Sequence, residues 1–282
     1  MKYNGVIDGL LPEKKGCIKM KKLLALIMAL VMVFALAACT EEAPTEEVVE
    51  EAAIEEIADG ALTIGYTIYE PMNYFDGEVF TGFDTEFAEA VCAKLGVEAD
   101  FVEINWDTKF VTLDAGQIDC IWNGMTISDE VKKNCDVSKA YVKNAQVVVM
   151  KKDVIENYAD AESLKGLKFA AEAGSAGEAA IKDAGLDENY APVAAQTDAL
   201  LAVMGGQADA CVIDITMAKA MTAEGTSFAE LGYSIELTTE EYGIGFKLES
   251  ALTAEVDAAI DALKADGTLD ALAEKYALNL AL

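Results

Sequence analysis

Leu113-Asp-Ala-Gly-Gln-Ile-Asp119, followed by Cys120-Ile-Trp-Asn-Gly124, has a near copy further along the chain in Val203-Met-Gly-Gly-Gln-Ala-Asp209, followed by Ala210-Cys-Val-Ile-Asp214. In each, a helical stretch stops on glycine, Gln-x-Asp makes a turn, and a short apolar strand ends in a polar residue. The simplest explanation is two similar α/β lobes; a common αβ turn recurring independently is the competing one. In open parallel sheets ligands gather at the carboxyl ends of strands. By that rule Asn123, Gly124 and Asp214 face a cleft between the lobes.

Strands and helices alternate outward from these two copies. Ala61-Leu-Thr-Ile-Gly-Tyr-Thr67 reads as a strand, and Phe83–Leu95 as a helix with Asp84 as its N-cap and Gly96 as its stop. Residues 97–104 read as a second strand, 107–115 as a helix and Cys120-Ile-Trp122 as a short buried strand. A second series starts near Gly166, with strands over 167–171 and 210–213 and helices over 176–184, 197–204 and 215–222. Strands near 234–237 and 243–246 and helices over 252–264 and 268–276 close the chain. This βαβ rhythm predicts parallel sheets covered by helices.

The chain has 282 residues, 53% of them apolar, and a formal charge of −29, too long and too apolar for a disordered acidic tail. Every basic residue is lysine and histidine is absent, which excludes a Ser-His-Asp triad, a Cys-His pair and a His-based metal site. No cofactor or metal is expected. The surplus of carboxylates repels phosphate backbones, so nucleic acid is not an expected partner.

Met20-Lys-Lys22 precedes an uncharged run over 23–38 that ends in Leu36-Ala-Ala, just before Cys39. A basic start, an apolar stretch of this length and small residues before the break describe a secretory signal rather than a stable span. Leu-Ala-Ala-Cys resembles the lipobox of bacterial lipoproteins, which implies cleavage before Cys39 and a diacylglyceryl thioether on its sulfur. A plain signal peptide or an uncleaved anchor is the other reading. Residues 1–38 are therefore set aside as an upstream segment and leader, with translation expected to start at Met20. Residues 39–59, rich in Glu and Ala, read as an acidic flexible tether, or as a tether with a short surface helix across 48–57. Of the remaining cysteines, Cys92, Cys120 and Cys211 sit in apolar elements and are expected as free buried thiols. Cys135 is placed where it could pair with Cys120, and the spacings show no metal pattern.

Tyr69-Glu-Pro-Met72, Gly82-Phe-Asp84, Trp106-Asp107, Gly116-Gln-Ile-Asp119, Asn123-Gly-Met-Thr126 and Ser138-Lys-Ala-Tyr141 resemble, in this order, the solute-binding proteins of polar amino acid ABC importers. Ala173-Gly-Ser-Ala-Gly-Glu178, the stretch 209–214 and Glu241-Tyr-Gly-Ile-Gly245 continue the match, which covers nearly all of 60–282. The resemblance implies a periplasmic-binding-protein fold of two α/β lobes. The first is discontinuous (60–148 and 243–282) and the second spans 149–242. It also implies hinge closure on a small solute and delivery to the permease subunits of an ABC importer, from an extracytoplasmic position on a lipid anchor.

Within that resemblance Tyr69 matches the aromatic that covers the ligand, although a loop tyrosine packing on Pro71 would look the same. Met72 stands where the family usually has Phe, and Trp106 either lines the cleft or caps a core. Asn123, Gly124, Met125 and Thr126 follow a buried strand and offer backbone and hydroxyl groups to an amine or carboxylate. Asp214 matches the aspartate that receives the ligand's α-ammonium, a charge-assisted bond that strengthens as water leaves; it is also placed to N-cap the helix that follows. Gly174, Ser175 and Ala176 would present N–H groups at a helix N-terminus to an anion.

Two departures matter. Where the family usually places an arginine whose planar fork grips the α-carboxylate, this chain has Val131, and it contains no arginine at all. Lys132 and Lys133 are neighbours but point elsewhere, since one residue is a turn of about 100° on a helix. Ala176 stands where the family often has a second hydroxyl. The amine half of an amino acid site survives while the carboxylate half looks depleted, so the expected ligand is a small amine-bearing solute, an amino acid or a related compound. Enzymatic activity is not expected. The alternative is a non-transport relative on this fold, a sensor component or a dehydratase-like enzyme using a carboxylate such as Glu172 or Glu178 as general acid.

Overall fold

The computed structural model describes Ile57 and residues 60–282. The expected leader, the lipidated Cys39 and all of the tether but Ile57 lie outside the described residues. Among the described residues no helix is long and apolar enough to cross a membrane.

The chain opens with β1 (Ala61–Tyr66), a small hairpin of β2 (Tyr74–Asp76) and β3 (Val79–Thr81), helix α1 (Phe83–Leu95) and β4 (Glu98–Glu103). Helix α2 (Lys109–Asp114), β5 (Cys120–Thr126), the single turn α3 (Val131–Asn134), β6 (Asp136–Val137) and β7 (Val142–Asn144) follow. After β8 (Gln146–Lys151) come β9 (Phe169–Glu172), α4 (Ala176–Asp183), β10 (Tyr190–Val193), α5 (Gln196–Met204) and β11 (Ala210–Asp214). Helix α6 (Ile215–Met221), β12 (Leu231–Glu236), β13 (Glu240–Phe246), α7 (Leu252–Ala265) and α8 (Thr268–Lys275) complete it.

Besides the β2–β3 hairpin, the described residues form two larger sheets, ordered β4-β1-β5-β13-β6, with β7 also on β13, and β10-β9-β11-β8-β12. The first three strands of each are parallel, as the βαβ rhythm predicts, but β13 runs antiparallel to β5 and β8 antiparallel to β11. The sheets are mixed rather than parallel, for a tertiary reason. β8 and β13 each arrive directly from the other sheet, with no crossover helix to return them to the starting edge. They enter at the end where the parallel strands finish and must run against them.

The repeated turn does the same work in both halves. Asp119 Oδ2 accepts the Thr63 N–H at 2.7 Å while its own N–H reaches Thr63 O at 2.8 Å. Asp209 Oδ2 accepts the Lys168 N–H at 2.9 Å and its N–H reaches Lys168 O at 2.9 Å. Each Asp thus ties the end of its αβ turn to the neighbouring strand. The glycine before it, Gly116 or Gly206, sits at φ 66° or 70°, which ends the helix without a Cβ clash.

Helix α1 buries Phe83, Phe87, Ala88, Val91 and Cys92 and leaves Glu89 and Lys94 in solvent, the one-sided pattern that packs it on the first sheet. Each such buried aromatic or aliphatic side chain contributes on the order of 1.5–3 kcal/mol. Asp84, expected as the N-cap of α1, is not one. Gly82 holds that position, and the N–H groups of Asp84 and Thr85 are already taken by Met72 O. The Asp84 side chain, wholly buried, instead accepts the Gly124 N–H at 2.6 Å and the Tyr141 hydroxyl at 3.0 Å. Cys92, Cys120, Cys135 and Cys211 are all buried and free.

Candidate functional site

β5, β9 and β11 end at the face where the two sheets meet. Asp214, the last residue of β11, is 6% exposed. Its backbone occupies the N-cap of α6, but its side chain makes no capping bond, contrary to the expected capping role. Oδ1 instead accepts from Asn144 Nδ2, Gln146 Nε2 at 2.8 Å and the Tyr242 hydroxyl at 2.8 Å. None of these uses Oδ2. The same two amides also donate to Glu240 Oε1, at 2.6 Å from Asn144 and 2.7 Å from Gln146, and the Thr126 hydroxyl adds a third bond at 2.7 Å. Two carboxylates therefore share two amide groups. Burial, then the charge of Glu240, pushes the Asp214 carboxyl up to about 7.

Glu172 closes β9 and is 3% exposed. Burial and the charge of Asp214 push it up to about 8, and among the described residues its Oε1 has no hydrogen-bond partner. The carbonyl oxygens Asn144 Oδ1 and Gln146 Oε1 are likewise buried and unpartnered. The two amide oxygens lack a donor, and Glu172 becomes a further unsatisfied acceptor when it ionises.

Asn123 is locked in place. Its Oδ1 accepts from the Thr67 hydroxyl at 2.7 Å, and its Nδ2 donates to Thr67 O at 2.8 Å and Asn73 Oδ1 at 2.7 Å. Gly124, at φ 55°, lies so close to Tyr69 that a Cβ there would meet the ring at 2.7 Å. The Tyr69 hydroxyl lies 2.5 Å from both Thr216 Oγ1 and the Tyr242 hydroxyl, a bond from the first lobe to the second.

A chamber of about 20 Å³ lies between these groups, bordered by Asn123, Gly124, Glu172, Gln196 and Asp214. That is room for about one water molecule. It shares Trp106, Thr126, Ser175 and Ala176 with a wider hollow of about 190 Å³ that also reaches Lys109, Met125, Val131 and Gly174. Of the residues singled out from sequence, these cavities bring together Trp106, Asn123, Gly124, Met125, Thr126, Gly174, Ser175, Ala176 and Asp214. Tyr69 borders neither and acts through its hydroxyl bonds, while Met72 is fully buried in the core with its carbonyl on α1. A larger hollow of about 330 Å³ near Lys143, Ile215 and Leu278 touches none of the buried carboxylates.

Glu240, Asn144, Gln146, Gln196, Tyr242 and Lys109 were missed from sequence. Polar residues at strand ends, as Asn144 and Gln146 are, carry a signal only once the two sheets are known to meet there. Among the described residues no group of three or more His, Cys, Asp or Glu side chains is arranged to hold a metal ion.

A model of the bacterial extracellular solute-binding proteins, family 3, matches residues 62–279. The ABC transporter glutamine-binding protein GlnH of Bacillus subtilis (strain 168) is 30% identical over 271 residues, covering 91% of this chain and 97% of the relative. Among solved structures, a mutant of ArgBP from T. maritima has a TM-score of 0.74 at 30% identity, covering 80% of this chain and 98% of that one. The ancestral amino acid-binding protein AncCDT-1, a precursor of cyclohexadienyl dehydratase, has a TM-score of 0.73 at 31% identity, covering 79% and 98%.

Proposed function

The chain belongs to family 3 of the bacterial extracellular solute-binding proteins, and on that footing we propose that it is a lipid-anchored extracytoplasmic receptor for a small amine-bearing solute, an amino acid or a close relative. It hands that solute to the permease subunits of an ABC importer. The observation that carries the ligand class is the pair of buried carboxyl groups, Asp214 and Glu172, that border the inner chamber, with Glu172 Oε1 unpartnered among the described residues. An ammonium supplies the missing donors and the positive charge that buried carboxyl groups need in order to ionise.

In this reading Asp214 Oδ2 takes the ammonium, with Thr126, Gly124 and Trp106 around it and Tyr69 holding the lobes together above it. The first lobe is built on the sheet that contains β1, β4, β5 and β13 and the second on the sheet that contains β8 to β12, so the crossovers expected at 148/149 and 242/243 fall a few residues earlier, just before β8 at Gln146 and just before β13 at Glu240, and the chain is tethered through Cys39. A chamber with room for one water is a closed state, so the solute enters when the lobes part. Isothermal titration of the Cys39-free protein against amino acids, polyamines and quaternary amines tests this. Saturable heat from an amine-bearing compound is expected, and none from any of them contradicts it.

Glu172, a buried carboxyl held protonated near neutral pH, is also what a general acid requires, which favours a dehydratase-like enzyme as the second reading. Product analysis of the same mixtures separates the two: a carrier returns its solute unchanged.

A further inference from the structure

The part of the cleft where an α-carboxylate would lie offers it no spare cation. Val131 is 6% exposed and packs into one core cluster with Trp106, Met125 and Cys135. At the N-terminus of α4 the chain supplies its own anion. Glu178 Oε2 accepts the Gly174 N–H at 2.6 Å and its Oε1 pairs with Lys182 at 2.6 Å, while the N–H groups of Ser175 and Glu178 go to Glu172 O and Ser175 Oγ. Lys109, the only buried lysine among the described residues, is also committed. Its Nζ donates to Trp106 O at 3.2 Å and, across the cleft, to Gly174 O at 2.8 Å, and lies 4.8 Å from the centroids of the Trp106 and Phe110 rings. Burial lowers its pKa, against the charges of Glu130, Glu172 and Asp107, which raise it.

Carboxylates outnumber lysine along the whole cleft. The hollow of about 190 Å³ is bordered by Glu130, Asp183 and Glu240 against Lys109 alone. Glu130 and Asp183 are exposed, and neither forms an ion pair among the described residues. The chamber of about 20 Å³ that adjoins it is bordered by Asp214 and by Glu172, which is 3% exposed with Oε1 unpartnered among the described residues. An ammonium group is about the size of the one water molecule this chamber can hold, so the rest of a solute must extend into the wider hollow. There a carboxylate would add like charge to like, whereas a second cation meets opposite charge.

We propose that the solute is a diamine without a carboxylate, one ammonium received by Asp214 and Glu172 in the inner chamber and the other in the wider hollow bordered by Glu130, Asp183 and Glu240. This rests on the cleft being the solute site. It narrows the ligand class from amine-bearing solutes in general to those that lack the α-carboxylate, and it makes the free amino acids the weaker ligands.

The test is calorimetric titration of the protein with two pairs that differ only in the carboxylate, L-ornithine with putrescine and L-lysine with cadaverine, alongside n-pentylamine, L-glutamine and L-histidine. The wild type is expected to bind at least one diamine about tenfold or more tighter than its amino acid. Cadaverine should bind about threefold or more tighter than n-pentylamine, which has a single charge, since exposed carboxylates contribute modestly. Glu130→Gln combined with Asp183→Asn should melt normally and reduce that second preference. An amino acid that binds as tightly as its diamine, or binding of L-glutamine or L-histidine alone, overturns the proposal while leaving an amino acid receptor intact. Equal affinity for cadaverine and n-pentylamine overturns it as well, and so does a double variant that keeps the full wild-type preference. If none of the seven compounds binds, the reading of the cleft as an amine site fails, and this inference fails with it.

Discussion

Asp214 is held by three donors on one oxygen, so removing it does more than remove a ligand contact. Asp214→Ala should weaken binding of an amine-bearing solute by about 2–5 kcal/mol, the range for truncating one partner of a buried charge pair. It should also destabilise the free protein by about 1–3 kcal/mol, because Asn144, Gln146 and Tyr242 lose a buried acceptor. Calorimetry and urea melts read the two separately, and wild-type affinity in the variant would exclude Asp214 from the ligand. Position 131 offers the complementary change. Val131→Arg should improve affinity for α-amino acids relative to their decarboxylated amines, since position 131 borders the hollow beside Trp106 and Thr126. Asp214 was legible in the sequence because it ends an apolar strand. Lys109 was not, because a lysine on a short helix reads as exposed. Its burial is imposed by Gly174, which belongs to the other lobe.

The repeated turn makes a prediction about elements. Asp119→Ala and Asp209→Ala should each destabilise the fold by about 1–2 kcal/mol, through loss of a charged acceptor for a backbone N–H. The effects should add in the double variant, since the turns lie in different sheets. Denaturant midpoints unchanged in both single variants would contradict the role assigned to the repeat. Where an element has strong one-sided periodicity and a glycine stop, as α1 does, its boundaries can be read from sequence. The hairpin of β2 and β3 and the strand β10 cannot. They are three or four residues long, and among the described residues β10 pairs only with β9 and carries Pro192, as an edge strand permits. The reversed direction of β8 and β13 has no local signal either, since it follows from the path between the sheets.

At the scale of the whole molecule, the bond from Tyr69 to Thr216 and the one from Lys109 to Gly174 fasten one lobe to the other, and the inner chamber they close is too small for an amino acid. Solution scattering should show a more open average without ligand and a more compact particle with it. Identical profiles in the presence of a tight ligand would count against lobe closure. The buried carboxyls also couple the fold to pH. Asp84 and Asp214 are raised to about 7 and Glu172 to about 8, so between about pH 4 and 8 the folded, ligand-free protein binds more protons than the unfolded chain. Its stability should therefore be greatest on the acid side of that window and fall as pH rises through it. A bound ammonium favours the ionised carboxylates, so ligand affinity should change in the opposite sense, rising as pH climbs toward 8. The role of the buried carboxylates is tested by isothermal titration with the tightest-binding amine-bearing solute near pH 7, repeated in buffers of different ionisation enthalpy. Binding is expected to release protons and to tighten with pH, and Glu172→Gln to reduce both effects. Binding without proton release and independent of pH between 6 and 8 would contradict the claim that the buried carboxylates of the cleft receive the solute's ammonium.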